Sequence, residues 1–119
     1  MKNVYTWAAK PAKRSTTVAD LKSAKGKKKF TQVTANTIAE AAAAEKAGFD
    51  MIISNAKNVI PVREGSKNLF LTAALVLNEF VTADDIMRGA FKALENGADA
   101  VMTPRSMDIV EMLAKEDVP

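Results

Sequence analysis

The segment Gly48-Phe49-Asp50-Met51-Ile52-Ile53-Ser54 returns about fifty residues later as Gly97-Ala98-Asp99-Ala100-Val101-Met102-Thr103. Each copy follows an alanine-rich amphipathic run. The glycine supplies a left-handed residue that stops a helix, where a side chain would oppose the turn. An aspartate, a short apolar run and a small hydroxyl residue follow. An apolar run without polar alternation predicts a strand buried on both faces, as in a parallel sheet. A helix feeding such a strand, repeated at this interval, is the signature of stacked βα units.

The rest of the chain fits that frame. Residues 1–15 show no periodicity and read as a basic, irregular arm in front of a domain over residues 16–119. Tyr5 and Trp7 lie in this arm and can pack on the body or on a partner subunit. Thr17 with Asp20 three residues later resembles a capping box, and Gly26 ends the short helix it opens. Phe30 to Ala35 alternates and reads as the first strand. Asn36 or Thr37 then caps a helix running to Ala47, rich in alanine and so in helix propensity. Asp50 to Ser54 is the second strand. Pro61 and Gly65 break the segment from Asn55 to Asn68, leaving room for a short helix at most. Leu69 to Ala74 is the third strand, and a loop carrying Asn78, Glu79 and Phe80 follows. Thr82 caps the next helix, with Asp84 and Asp85 in its first turn, where the helix dipole favours negative charge. Ile86, Ala90, Phe91 and Leu94 mark its buried face. Asp99 to Thr103 is the fourth strand, and a last helix places Met107, Val110, Met112 and Leu113 at its apolar positions. Val118-Pro119 reads as the opening of a fifth strand.

Several kinds of chemistry are excluded by composition. The chain has 119 residues and 48% hydrophobic residues, enough for one folded domain. It has no cysteine, which excludes disulfides and thiolate metal sites and fits a reducing, cytoplasmic setting. It has no histidine, which excludes imidazole ligands and Ser-His triads. No apolar run approaches the roughly 18–20 residues of a membrane span, and no apolar stretch of a secretory signal follows the basic N-terminus. The net charge of +3 divides unevenly. Residues 1–30 carry nine Lys/Arg against Asp20 alone, whereas residues 31–119 carry eight basic and thirteen acidic residues. A basic arm attracts nucleic acid or other anions, but this one lacks interleaved aromatics, and nucleic acid is not the expected partner.

Strands and helices in strict βα order predict an α/β fold: parallel βα units forming about half of a (β/α)8 TIM-type barrel, truncated before the fifth strand. A whole barrel takes roughly 250 residues. A small open α/β sheet is the alternative. In both, functional groups project from the carboxyl ends of the strands. Those positions hold Ala35 and Asn36; Ser54, Asn55 and Ala56; Ala73 and Ala74; and Thr103, Pro104 and Arg105. No carboxylate stands there to anchor a hard cation. Asn55 is either a neutral carbonyl ligand or a turn-forming asparagine. Arg105 is either a clamp for a carboxylate or phosphate or an exposed surface arginine. Glu79 either reaches in from its loop or stays outside.

At this point the residues resemble a family. Thr17-Val18-Ala19-Asp20-Leu21 with Lys25-Gly26, then Val33-Thr34-Ala35, then Glu45 through Ile53, looks like the opening of the ketopantoate hydroxymethyltransferase family. Thr82 to Val101 resembles that family's third helix and fourth strand, and Val110 to Pro119 the lead-in to its fifth strand. The family belongs to the phosphoenolpyruvate mutase/isocitrate lyase superfamily of barrels. The resemblance spans roughly residues 17–119, the first half of such an enzyme. It implies hydroxymethyl transfer from methylenetetrahydrofolate to 2-ketoisovalerate in pantothenate synthesis, with Mg2+ polarising the keto acid. It also implies a homo-oligomer. Where the family has an Asp-Ser pair, this chain has Asn55-Ala56. Where it has an Asp at the end of the third strand, the chain has Ala74, and its Lys and Glu at the fourth strand fall on Met102 and Pro104. The later catalytic carboxylate would lie past Pro119. The expected metal ligands are thus missing, and Asn55, Ala56 and Arg105 remain as pocket-lining candidates for a small 2-keto acid. A reading of another class is a non-catalytic half-barrel that associates with a copy of itself or another chain through an open sheet edge.

Overall fold

The computed structural model describes residues 1–119. Four strands form a parallel sheet in sequence order: β3 (Gln32–Thr34), β4 (Met51–Asn55), β5 (Phe70–Ala74) and β6 (Ala100–Met102). Residues 1–15 are not irregular. They form an antiparallel hairpin of β1 (Lys2–Tyr5) and β2 (Pro11–Arg14), with Tyr5 opposite Pro11 and Lys2 opposite Arg14. Each strand has four residues, too short to display a period, and the inward position that ends β2 is the charged Arg14. Pro11 opens β2, the strand position where a missing N–H costs least. Ala9 turns the chain with a positive φ of 58°. The hairpin also carries weight in packing: Trp7 stacks on Phe91 with ring centroids 5.4 Å apart.

The helices form where caps and propensity agree. Thr17 caps α1 (Val18–Ser23) in a full capping box with Asp20. Thr37, rather than Asn36, caps α2 (Ile38–Ala47), and Gly48 ends it at a φ of 85°. After β4 comes a 3-10 turn over Ala56–Asn58 and then α3 (Val59–Gly65). Pro61 does not break this helix. It is the third residue, where the backbone N–H has no intrahelical acceptor to lose. Gly65 is needed for closeness, because a Cβ there would lie 2.2 Å from the carbonyl oxygen of Ile38. Helices α2 and α3 therefore meet backbone to backbone at this point. Thr82 and Asp85 box the start of α4 (Ala83–Glu95), and α5 (Met107–Lys115) completes the set.

The strand register sorts side chains onto two unlike faces. Val33, Ile52, Leu71, Ala73 and Val101 point one way, toward Ala41, Val59, Val62, Ile86, Ala90 and Leu94 of the helices. Gln32, Met51, Ile53, Thr72, Ala100 and Met102 point the other way and stay partly or fully accessible, although Phe70 is buried. The expectation of strands buried on both faces therefore holds for the helix side, whereas on the other face only Phe70 and Ala74 are buried. The free edge of β6 has a partial partner: Val101 N–H donates to the Pro119 carbonyl at 3.0 Å. No helix is long and apolar enough to cross a membrane.

The aspartate of each repeat serves the strand beside its own. Asp50 accepts from the Thr31 N–H at 2.8 Å and from its hydroxyl at 3.0 Å, at the start of β3. The bond from the Thr31 N–H is the main reason its pKa lies below the ordinary value. Asp99 accepts from the Leu71 N–H of β5 at 3.0 Å. It also holds two arginines: Arg14 Nε at 2.9 Å and Arg63 Nη2 at 2.8 Å. Arg14 is only 4% exposed. Arg63 further donates to the carbonyls of Gly97, Ser66 and Leu69. One carboxylate thus joins the hairpin, α3 and the amino ends of two strands.

Removing one partner of a buried ion pair leaves the other uncompensated, at about 3–5 kcal/mol. Asp99→Asn is isosteric but takes the counter-charge away from the guanidinium groups of Arg14 and Arg63. Urea unfolding of this variant is expected to lose a comparable amount of stability; a midpoint unchanged from that of the parent would contradict the assignment.

Candidate functional site

The carboxyl ends of the four strands carry a connected polar rim, built outward from the end of β4. The Asn55 N–H donates to Asn36 Oδ1 at 2.8 Å, and Asn58 Nδ2 donates to the same oxygen at 3.0 Å. Asn55 Oδ1 accepts from the Lys57 N–H at 3.1 Å and caps the 3-10 turn. Its oxygen therefore has the turn-forming role. Its Nδ2 faces Glu79 Oε1 at 3.5 Å, and Lys57 Nζ donates to that carboxylate at 3.2 Å. Ala56 opens the turn and packs half-buried against the core. Ser54 is buried, its hydroxyl donating to the Asn55 carbonyl at 3.2 Å.

Arg105 approaches the same loop from the other side. Its Nη2 donates to the carbonyls of Leu77 at 3.0 Å and Phe80 at 3.2 Å. Its Nε is buried without a partner. The Arg105 N–H donates to Thr103 Oγ1, which shapes the lead-in to α5. Phe80 closes the loop from below: a Cβ on Gly89 of α4 would come within 2.3 Å of its ring. The loop over residues 76–81 thus bridges the two candidate positions. Glu79 reaches Asn55 and Lys57, and the flanking Leu77 and Phe80 carbonyls reach Arg105.

Asn55, Ala56 and Arg105 are therefore all at the rim, but in different roles. Asn55 and Arg105 share one loop, whereas Ala56 contributes to the core. Glu79 does reach in. Sequence reasoning places Asn36 at a strand end without giving it a role, and it misses Lys57 and Asn58. Asn36 had a usable signal, since an asparagine ends or follows both of the first two parallel strands. The Lys57–Glu79 pair spans two loops and has no local signature.

The donors present do not fit a divalent cation. Magnesium needs close to six oxygens, usually including carboxylates. The rim has one carboxylate, already paired with Lys57, and two amide oxygens that already accept hydrogen bonds. No group of three or more acidic, histidine or cysteine side chains is placed to hold a metal ion.

Arg105→Ala removes two charge-assisted bonds from the loop, each worth about 1.5–3 kcal/mol when well shielded and less here because the side chain is half-exposed. Amide exchange at Glu79 and Phe80, whose N–H groups both donate to Val76 O, is expected to speed up about tenfold or more, while Leu71 and Ala73 stay protected. Unchanged exchange at 79 and 80 would assign the loop's hold to Phe80 alone.

No protein-family model matches the chain, and no curated protein is significantly similar to it.

Proposed function

We propose that residues 16–119 form about half of a TIM-type barrel, a divergent member of the ketopantoate hydroxymethyltransferase-like group, and that the carboxyl-end rim recognises a small 2-keto acid. One observation carries this reading: four parallel strands in sequence order, helices on one face, an open second face, and Asn36, Asn55, Lys57, Glu79 and Arg105 at the carboxyl ends. A closed barrel fills its interior with the inward face of each strand and places its site at the same end. The Val101–Pro119 hydrogen bond supports Val118-Pro119 as the approach to a further strand.

The rim offers Lys57 and Arg105 against the single carboxylate of Glu79. That balance suits a monocarboxylate, with the Asn55 amide available to a neighbouring keto oxygen. In exchange for the Lys57–Glu79 pair, an incoming carboxylate would gain a cation and displace Glu79. No step through Mg2+ follows, because these residues do not fit it. Methylenetetrahydrofolate as one-carbon donor rests on the resemblance alone. Hydroxymethyl transfer would need acids from outside residues 1–119, and the part assigned to this chain is recognition and orientation of the keto acid.

Thermal unfolding with 2-ketoisovalerate tests the reading. A ligand at a hundred times its dissociation constant adds about 2.7 kcal/mol, several degrees for a domain of this size. The shift is expected without added magnesium and is expected to vanish in Lys57→Gln. No shift at millimolar keto acid would overturn it.

A second reading has its own observation. Met102 and Val110 are exposed beside β6 and border an apolar groove of about 270 Å³ that Leu113, Val118 and Pro119 also line. We propose as the alternative that this edge pairs with a second copy, a non-catalytic half-barrel assembly. Sedimentation over a wide concentration range would then reveal a dimer that Val110→Lys dissolves. A monomer at every concentration would dismiss it.

A further inference from the structure

At the opposite end of the sheet, the hairpin, α3 and the turn after α4 enclose a cleft of about 580 Å³. Lys10, Lys13, Arg14, Arg63 and Lys67 line it, and Glu64 is the one acid in the lining. Two further carboxylates lie beside it: Asp99, which both arginines share, and Glu45, which accepts from the Asn68 N–H at 3.2 Å. Lys10, Lys13 and Lys67 enter none of the ion pairs of the chain. Asn68 and Asn96 complete the polar lining, and no hydrogen bond within the chain occupies their side-chain amides.

A solvated basic surface would scatter such charges. Here they are held together. Arg14 Nη1 donates to the backbone carbonyls of both Lys13, at 3.0 Å, and Lys67, at 2.9 Å. The Ser15 N–H and hydroxyl both donate to the Asn68 carbonyl, closing the hairpin onto the same loop. A buried guanidinium therefore fixes two lysine-bearing segments on either side of one opening. Burial is the main cause that brings Arg63 down to about 10, opposed by Asp99 and furthered by Arg14. Arg63 stays cationic at neutral pH, and its excess charge lacks a full counterion.

We propose that this cleft is a binding site for a small multivalent anion bearing phosphate, held by Lys10, Lys13 and Lys67 over the Arg14–Arg63 pair. More than one uncompensated cation favours a multiply charged ligand over a simple carboxylate, and the volume falls within the range of small-molecule sites. The site is at the amino ends of the strands, separate from the keto-acid rim, so either can fail alone.

The test is calorimetric titration of the full chain with inorganic pyrophosphate at fixed ionic strength, with ADP and a short single-stranded oligonucleotide in parallel. Saturable one-to-one binding of pyrophosphate is expected, weakened about tenfold by Lys13→Gln and again by Lys67→Gln. Both lysines are exposed and unpaired, so these variants are expected to keep the parent circular dichroism and melting temperature. ADP binding as tightly as pyrophosphate identifies the phosphate group itself as the ligand. Tighter binding of ADP identifies a nucleoside phosphate. Absence of saturable binding, binding indifferent to both substitutions, or binding of the oligonucleotide alone would each overturn the proposal.

Discussion

The Asp99 carboxylate is the interaction on which the remaining structure depends. It ties β5 to β6 through the Leu71 N–H, and it is the shared counterion of Arg14 and Arg63. Without a counterion, neither arginine could stay as deeply buried as it is, because an isolated charge in a low-dielectric interior is costly. The hairpin would then lose the anchor that turns residues 1–15 from a tail into a floor. Two charges sharing one partner is an unusual economy, and it leaves the amino end of the sheet with a standing positive field.

The repeat made the sheet legible. Gly48 and Gly97 both adopt the positive φ that their positions after a helix predict, and both apolar runs are strands. Thr17 and Thr82 cap as read, because a capping box is a local arrangement of four residues. What the sequence hid was non-local. The hairpin depends on Arg14 meeting an aspartate 85 positions away. Its strands lack a period because one inward position, Arg14, is charged. The role of Pro61 was misread because its effect depends on its place within the first turn, not on its presence.

At the candidate site, strand order places residues at the carboxyl ends of the sheet but does not give the constellation they form. Asn55 and Arg105 follow from strand order alone. That Arg105 spends its guanidinium on two loop carbonyls, and that Asn55 spends its oxygen on a cap, are facts of loop geometry that spacing does not encode.

The bracketing of neighbouring strands by Asp50 and Asp99 has a consequence for how such a chain can change. Both brackets sit where strands begin, and they bind main-chain N–H groups that any residue except proline provides. Register is thus set before a strand's own side chains are reached. Loops at the far ends can lengthen, shorten or swap residues without letting one strand slide against the next. A scaffold fastened at its base in this way can drift in chemistry at the far rim while keeping its shape.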